Sequence, residues 1–179
     1  MKLKKMAWWE YALYSGIIAL GILLDQLTKW LSVEFLKPIK TFPIIEGVIH
    51  FTYVENRGAA FGMLADKRYI FMIISTVMII VMSFILYSGA YKGNHLYMTS
   101  FALIVSGGIG NMIDRLTLEY VVDFIDFRLI NFAVFNGADS FVCVGAGLLI
   151  LALVLDIVKE SKQKKLEEAK KDSVGGDAE

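Results

Sequence analysis

Residues 69–91 read YIFMIISTVMIIVMSFILYSGAY, a run without one Asp, Glu, Lys or Arg. A bilayer's hydrocarbon core takes about 20 apolar residues in a helix, so this stretch predicts a transmembrane span rather than a core helix of a soluble domain. Working outward, 93–113 (GNHLYMTSFALIVSGGIGNMI) lacks the same four residue types and predicts another span, in which the glycines near its end let a second backbone approach. Toward the N-terminus, Tyr11–Leu24 is uncharged and the pattern continues through Asp25 and Lys29 to Leu31. Toward the C-terminus, Ser140–Leu155 is uncharged, and extending it to span length takes in Asp139 and Asn136. The expected fold is therefore an all-α membrane protein with four transmembrane helices, at about 9–31, 69–91, 93–113 and 134–157. The first is expected to stay in the mature protein, because its apolar run is long and ends in Asp-Gln-Leu-Thr-Lys rather than in a small-residue processing site.

Composition agrees with this reading. Hydrophobic residues make up 56% of the 179 positions and the mean hydropathy is +0.58, above the range of ordinary soluble domains. The 18 basic and 18 acidic residues cancel, which leaves no field to attract nucleic acid. The lone Cys143 cannot form an internal disulfide, and one Cys with two His is too few for the usual zinc site. Cys143 reads as span packing, and His50 and His95 as bland, on opposite sides of the membrane.

Between spans one and two, 41–54 (TFPIIEGVIHFTYV) consists of β-rich runs broken at Glu46-Gly47. This predicts a small extracytoplasmic β-rich cradle at about 40–56. The segment from Asp114 to about Ile130 reads as a short amphipathic loop, and 160–179 as a charged, disordered tail after a single domain of residues 1–159. An even number of spans puts both termini on one side. Lys2, Lys4 and Lys5 at one end and Lys159, Lys162, Lys164, Lys165, Lys170 and Lys171 at the other place them in the cytoplasm. Lys37, Lys40, Arg57, Lys67, Arg68, Arg115 and Arg128 in or beside the opposite loops dilute that bias.

Ionisable groups at membrane depth are costly and mark functional sites by default. Asp25 and Lys29 sit at i and i+4, so they share a helix face and can neutralise each other; an interfacial ion pair is the bland alternative. Asn56-Arg57-Gly58-Ala59-Ala60-Phe61 combines an amide, a cation and small residues, and is otherwise an ordinary turn. In Gly107-Gly108-Ile109-Gly110-Asn111-Met112-Ile113-Asp114-Arg115, Asn111 or Arg115 could hold a substrate carbonyl. No Gly-Lys-Ser/Thr ending follows, so phosphate binding is discarded. Asp123 and Asp139 lie sixteen positions apart, and the intervening turn can fold them together. Two carboxylates close together in a poorly hydrated site share one proton and titrate as a unit, the arrangement of an aspartic protease. The bland alternative makes Asp123 and Asp126 solvated loop acids and Asp139 a helix cap.

Taken in order, Asp25-Gln26-Leu27-Thr28-Lys29, Asn56 to Phe61, Gly110 to Arg115, Val121-Val122-Asp123-Phe124 and Phe135-Asn136-Gly137-Ala138-Asp139-Ser140 resemble the motif set of the lipoprotein signal peptidases, the signal peptidase II family. The likeness runs close to full length. It implies an intramembrane aspartic endopeptidase of the bacterial cytoplasmic membrane, acting at the extracytoplasmic face and cleaving prolipoproteins just before a diacylglyceryl-modified Cys. Asp123 and Asp139 would be its catalytic dyad. Asp25, Lys29, Asn56, Gly58, Asn111, Arg115 and Asn136 would bind substrate or support the site, with Asp114 supporting Arg115. The protein is expected to be a monomer in contact with membrane lipid, with no cofactor and no metal. Gly137 stands where the family usually has a larger aliphatic residue, and the stretch between the two Asp is short. The segment around 41–54, with the loop at Asn56, is expected to close over bound substrate. Two other readings compete: a proton-coupled carrier, which needs acids spread through the membrane depth, and a magnesium-dependent lipid transferase using Asp123 and Asp126.

Overall fold

The computed structural model describes residues 5–58 and 68–175. Ala59, Ala60, Phe61 and Lys67, and the terminal Lys2 and Lys4, lie outside the described residues. Among the described residues, four helices are long and apolar enough to cross a membrane: Trp8–Leu36, Tyr69–Tyr87, His95–Thr117 and Gly137–Glu167. They belong to α1 (Trp8–Leu31, continued by a π-helical turn Ser32–Leu36), α2 (Arg68–Tyr87), α3 (His95–Thr117) and α4 (Gly137–Gly175). A three-stranded antiparallel sheet of β1 (Thr41–Ile45), β2 (Ile49–Asn56) and β3 (Val121–Phe127) sits at one end of the bundle.

The bundle is built around α3. Two thirds of its most apolar window, 67%, is buried, against 22% for α1, 6% for α2 and 11% for α4, so the other three spans turn most of their surface to lipid. Small residues make this possible. A Cβ at Gly107 would collide with the carbonyl oxygen of Ala138 and stand 2.8 Å from Val142 Cγ2, and one at Gly110 would stand 2.5 Å from Asp25 Oδ2. Both glycines let α1 and α4 close on α3. Gly16, by contrast, has nothing within 4 Å of its Cβ position. Gly107→Ala is therefore expected to cost about 1–3 kcal/mol through overpacking, while Gly16→Ala gains about 0.4–1 kcal/mol by restricting the unfolded chain. Thermal unfolding of the two variants in detergent checks the opposite signs.

Several boundaries differ from the sequence reading. α2 ends at Tyr87 because the chain turns through Gly89 and Gly93, whose φ values of 76° and 82° favour glycine. α4 begins at Gly137 and runs on to Gly175, past the end of the apolar span. Its Glu-, Lys- and Gln-rich extension, with Glu160 and Lys164 at i,i+4, has strong intrinsic helix propensity. The presumed loop after Asp114 contains β3, so the cradle draws strands from both sides of spans two and three. β2 pairs with β3 through His50↔Asp126, Val54↔Asp123 and Asn56↔Val121, with a bulge between Phe51 and Val54. One face of this sheet packs Tyr53, Val122 and Phe124 on Leu36 of the π-helical turn.

Candidate active site

Strand alternation puts Asp123 on the face of β3 opposite Val122 and Phe124. The chain then folds back on itself: the Phe124 and Ile125 amides donate to the Phe135 carbonyl at 3.0 and 2.8 Å, and the Phe135 amide returns a bond to Ile125 at 3.1 Å. This closure delivers Asn136 beside Asp123 and starts α4 there. Asn136 caps that helix reciprocally. Its Oδ1 accepts the Asp139 amide at 3.0 Å, and Asp139 Oδ2 accepts the Asn136 amide at 3.2 Å. The same side chain donates from Nδ2 to Asp123 Oδ1 at 2.6 Å and to Asn111 Oδ1 at 3.1 Å. Asn136, with no exposed surface, is thus the bridge between the two carboxylates.

Each carboxylate has a second amide donor. Asn56 Nδ2 donates to Asp123 Oδ2 at 2.8 Å, its own Oδ1 fixed by the Gly58 amide at 3.0 Å. Asn111 Nδ2 donates to Asp139 Oδ1 at 2.7 Å. Asp123 is 1% exposed. Burial, and then the neighbouring charge of Asp139, push its carboxyl up to about 7, against the pull of its amide donors.

Beneath the dyad lies a buried ionic layer. Lys29 Nζ reaches Asp25 Oδ2 at 2.9 Å, Asp114 Oδ2 at 3.1 Å and Asn111 Oδ1 at 3.0 Å, which uses all three ammonium donors. Asp25 Oδ1 accepts the Ala138 amide at 2.8 Å, and Asp114 Oδ2 accepts the Val122 amide at 3.0 Å. The layer therefore ties α1 and α3 to the residues adjoining each member of the dyad. Gln26, passed over in the sequence reading although it lies inside the first motif, donates to Asp114 Oδ1 at 3.0 Å and to the Gly110 carbonyl at 3.2 Å. No buried side-chain nitrogen or oxygen among the described residues lacks a partner.

Three expectations need correction. Asp114 turns to Lys29, Gln26 and β3 rather than to Arg115, because successive helix positions point in different directions. Arg115 donates to the Asn111 carbonyl at 3.4 Å and lies 5.8 Å from the centre of the Phe71 ring. The 41–54 segment is not a separate lid, since β2 is laddered to the strand that carries Asp123. Asp126 points away from Asp123 and accepts Thr52 Oγ1 at 2.7 Å and Arg128 Nε at 3.0 Å. Burial raises its carboxyl, but these donors outweigh it and leave it below the usual range. The two acids of the magnesium reading are not brought together.

At the opposite end of the bundle the sequence reading missed Glu10, 2% exposed, which accepts the Ala7 amide at 2.7 Å and has Lys92 Nζ at 3.8 Å. Fifteen residues of helix, about 22 Å, separate it from Asp25. Between the two ends lies an apolar core that includes Met98, Phe101 and Ala102.

A sequence model of the family described as Signal peptidase (SPase) II matches residues 17–155. The lipoprotein signal peptidase of Caldanaerobacter subterraneus subsp. tengcongensis is 50% identical over 133 residues, covering 74% of this chain and 90% of that protein. The one from Bacillus subtilis is 41% identical over 155 residues, covering 85% and 99%. A solved structure described as a bacterial membrane enzyme superposes with a TM-score of 0.76 at 30% identity, over 88% of this chain and 94% of that one. The matched segment runs from α1 into α4 and takes in the ionic layer, the asparagine bridge and both carboxylates, and the chain belongs to the signal peptidase II family as a multi-pass membrane protein.

Proposed function

We propose that the protein is an intramembrane aspartic endopeptidase that removes signal peptides from bacterial prolipoproteins by cutting just before the diacylglyceryl-modified Cys. The observation that carries this reading is the pair Asp123, buried, and Asp139, half-buried, joined through Asn136 and each oriented by a further amide. Family membership supplies the substrate class, and the geometry supports the chemistry. One carboxylate takes a proton from water as the water oxygen attacks the scissile carbonyl. The protonated partner gives its proton to the carbonyl oxygen; as the tetrahedral centre collapses, the first carboxylate passes the water proton to the leaving nitrogen and the partner takes a proton back from a hydroxyl of the centre, leaving a carboxyl group and a free amine. The amides of Asn56, Asn111 and Asn136 hold the dyad in place through this exchange.

The site end of the bundle is assigned to the extracytoplasmic face, with both termini in the cytoplasm. A signal helix enters sideways between spans, its acyl chains remaining in lipid while the bond before the modified Cys reaches the dyad. The carrier reading is disfavoured by the apolar core between Glu10 and Asp25, which breaks any chain of titratable groups among the described residues.

A dyad with one proton sets the sign of the pH dependence. Asp123, pushed up to about 7, keeps its proton below that pH and loses it above. The kcat for a diacylglyceryl prolipoprotein is expected to fall about tenfold per unit above about pH 7, where the dyad loses its one proton, and to fall again at low pH, where the second carboxylate is protonated and no base is left. EDTA is expected to leave the profile unchanged. A rate that rises through pH 7, or one abolished by EDTA and restored by magnesium, would contradict the reading.

A further inference from the structure

On the face of the sheet that carries Phe124, opposite the one that carries Asp123, a groove of about 460 Å³ runs between the end of α1 with its π-helical turn and the strands. That volume falls within the about 300–1,000 Å³ of sites that hold small ligands. Phe51 and Phe124, ring centroids 6.2 Å apart, lie along its sheet side. Its rim is formed by Leu31, Phe35, Ile39 and Phe42, all between 39% and 64% exposed. Among the described lining residues only Thr28 and Ser32 carry hydroxyls, and both are consumed within their own helix. Thr28 Oγ1 donates to the Leu24 carbonyl at 3.0 Å and the Asp25 carbonyl at 2.9 Å, and Ser32 Oγ to the Thr28 carbonyl at 2.9 Å. The lining side chains therefore offer no spare donor, which suits a hydrocarbon and not a peptide or a sugar.

The rim continues the lipid-facing surface of α1, where Leu20, Leu23 and Leu27 are 58%, 66% and 51% exposed. Trp8 and Trp30 on that helix stand 22 positions apart, about 33 Å at 1.5 Å per residue. This matches two interfacial aromatic belts across a hydrocarbon core of about 30 Å. The groove thus begins at the belt and extends the apolar surface into the headgroup zone, where bare leucine and phenylalanine would otherwise face water.

We propose that this groove is a binding site for an acyl chain of a bilayer phospholipid, separate from the substrate site. The chain packs on Phe51 and Phe124 and braces from behind the strand that presents Asp123. The inference rests on the membrane span and the groove, and holds whether or not the dyad is catalytic.

The test uses the full chain in nanodiscs containing a trace of phosphatidylglycerol with a diazirine on its acyl chain, then exchange into lipid-free detergent, irradiation and peptide mapping. Label at Ile39, Phe42 and Phe51 is expected to survive the exchange. Label at Ile73, 65% exposed on the lipid face of α2, is expected to fall at least tenfold. Ser32→Phe, which fills the groove, and Phe42→Ser, at an exposed position that folding tolerates, should each cut the groove label at least fivefold with the unfolding midpoint kept. Groove label lost in parallel with Ile73, or indifferent to both substitutions in folded protein, overturns the proposal. Displacement by a diacylglyceryl-modified peptide overturns it too, by giving the groove to the substrate's own chains.

Discussion

Asp123→Asn and Asp139→Asn are each expected to lower turnover of a diacylglyceryl prolipoprotein by about 10²–10⁴-fold or more, with no loss of folded protein. Each carboxylate has a task the other cannot take over: an amide can neither accept the water proton nor return one. Stability is expected to move the other way. Asp123 is buried beside a like charge, and its carboxyl sits at about 7 rather than near 4. The folded chain holds a proton that the unfolded chain has already released, so the contribution of this group to stability is present at low pH and is lost as pH rises through about 7. Replacing it by Asn removes that penalty. Against this gain, the new NH₂ must face either Asn136 Nδ2 or Asn56 Nδ2, both donors. The unfolding midpoint of Asp123→Asn is expected to equal or exceed that of the parent above pH 7 and to vary less with pH, measured by thermal unfolding in detergent. A midpoint that drops by many degrees would mark Asp123 as structural.

Lys29→Met is expected to do the reverse and remove stability and activity together. Lys29 is 3% exposed and is the cation between Asp25 and Asp114, which are 1% and 2% exposed. Without it two buried carboxylates face each other uncompensated, a loss of about 3–5 kcal/mol. The damage spreads because Asp25 also holds the Ala138 amide and Asp114 the Val122 amide, so both members of the dyad lose their footing. Adding Asp25→Asn and Asp114→Asn to Lys29→Met should restore much of the midpoint by removing the stranded charges. Activity should return less fully, since Asn111 Oδ1 has lost its Lys29 donor. If the single variant unfolds at the parent's temperature, the layer beneath the dyad is not what holds it.

How much of this was legible follows from which interactions are local. The uncharged runs named the spans, and the i,i+4 spacing of Asp25 and Lys29 named a pair that the structure closes at 2.9 Å. The bland reading of that pair as interfacial failed because burial depends on α3, eighty residues away. β3 was missed for a similar reason. Val121–Phe127 is largely buried on both faces and carries an acid on each, Asp123 on one and Asp126 on the other, so the strand shows no clean alternation, and its partner β2 lies across two spans. Asp123 and Asp139 could be named as a pair, but not the device that joins them, because the bridge depends on Phe135 folding back onto β3. Glu10 escaped notice because, four residues before an apolar run, a lone acid looks like an ordinary helix start.

Product mass distinguishes a two-carboxylate peptidase from every other reading of the site. Purified protein in detergent, with Asp123→Asn and Asp139→Asn beside it, is incubated with a diacylglyceryl-modified prolipoprotein, and both fragments are weighed by mass spectrometry. A single cut before the lipidated Cys is expected from the parent, and none above background from either variant at an unfolding midpoint no lower than the parent's. A cut at another bond, or near-parent turnover by either folded variant, would contradict the two-carboxylate reading.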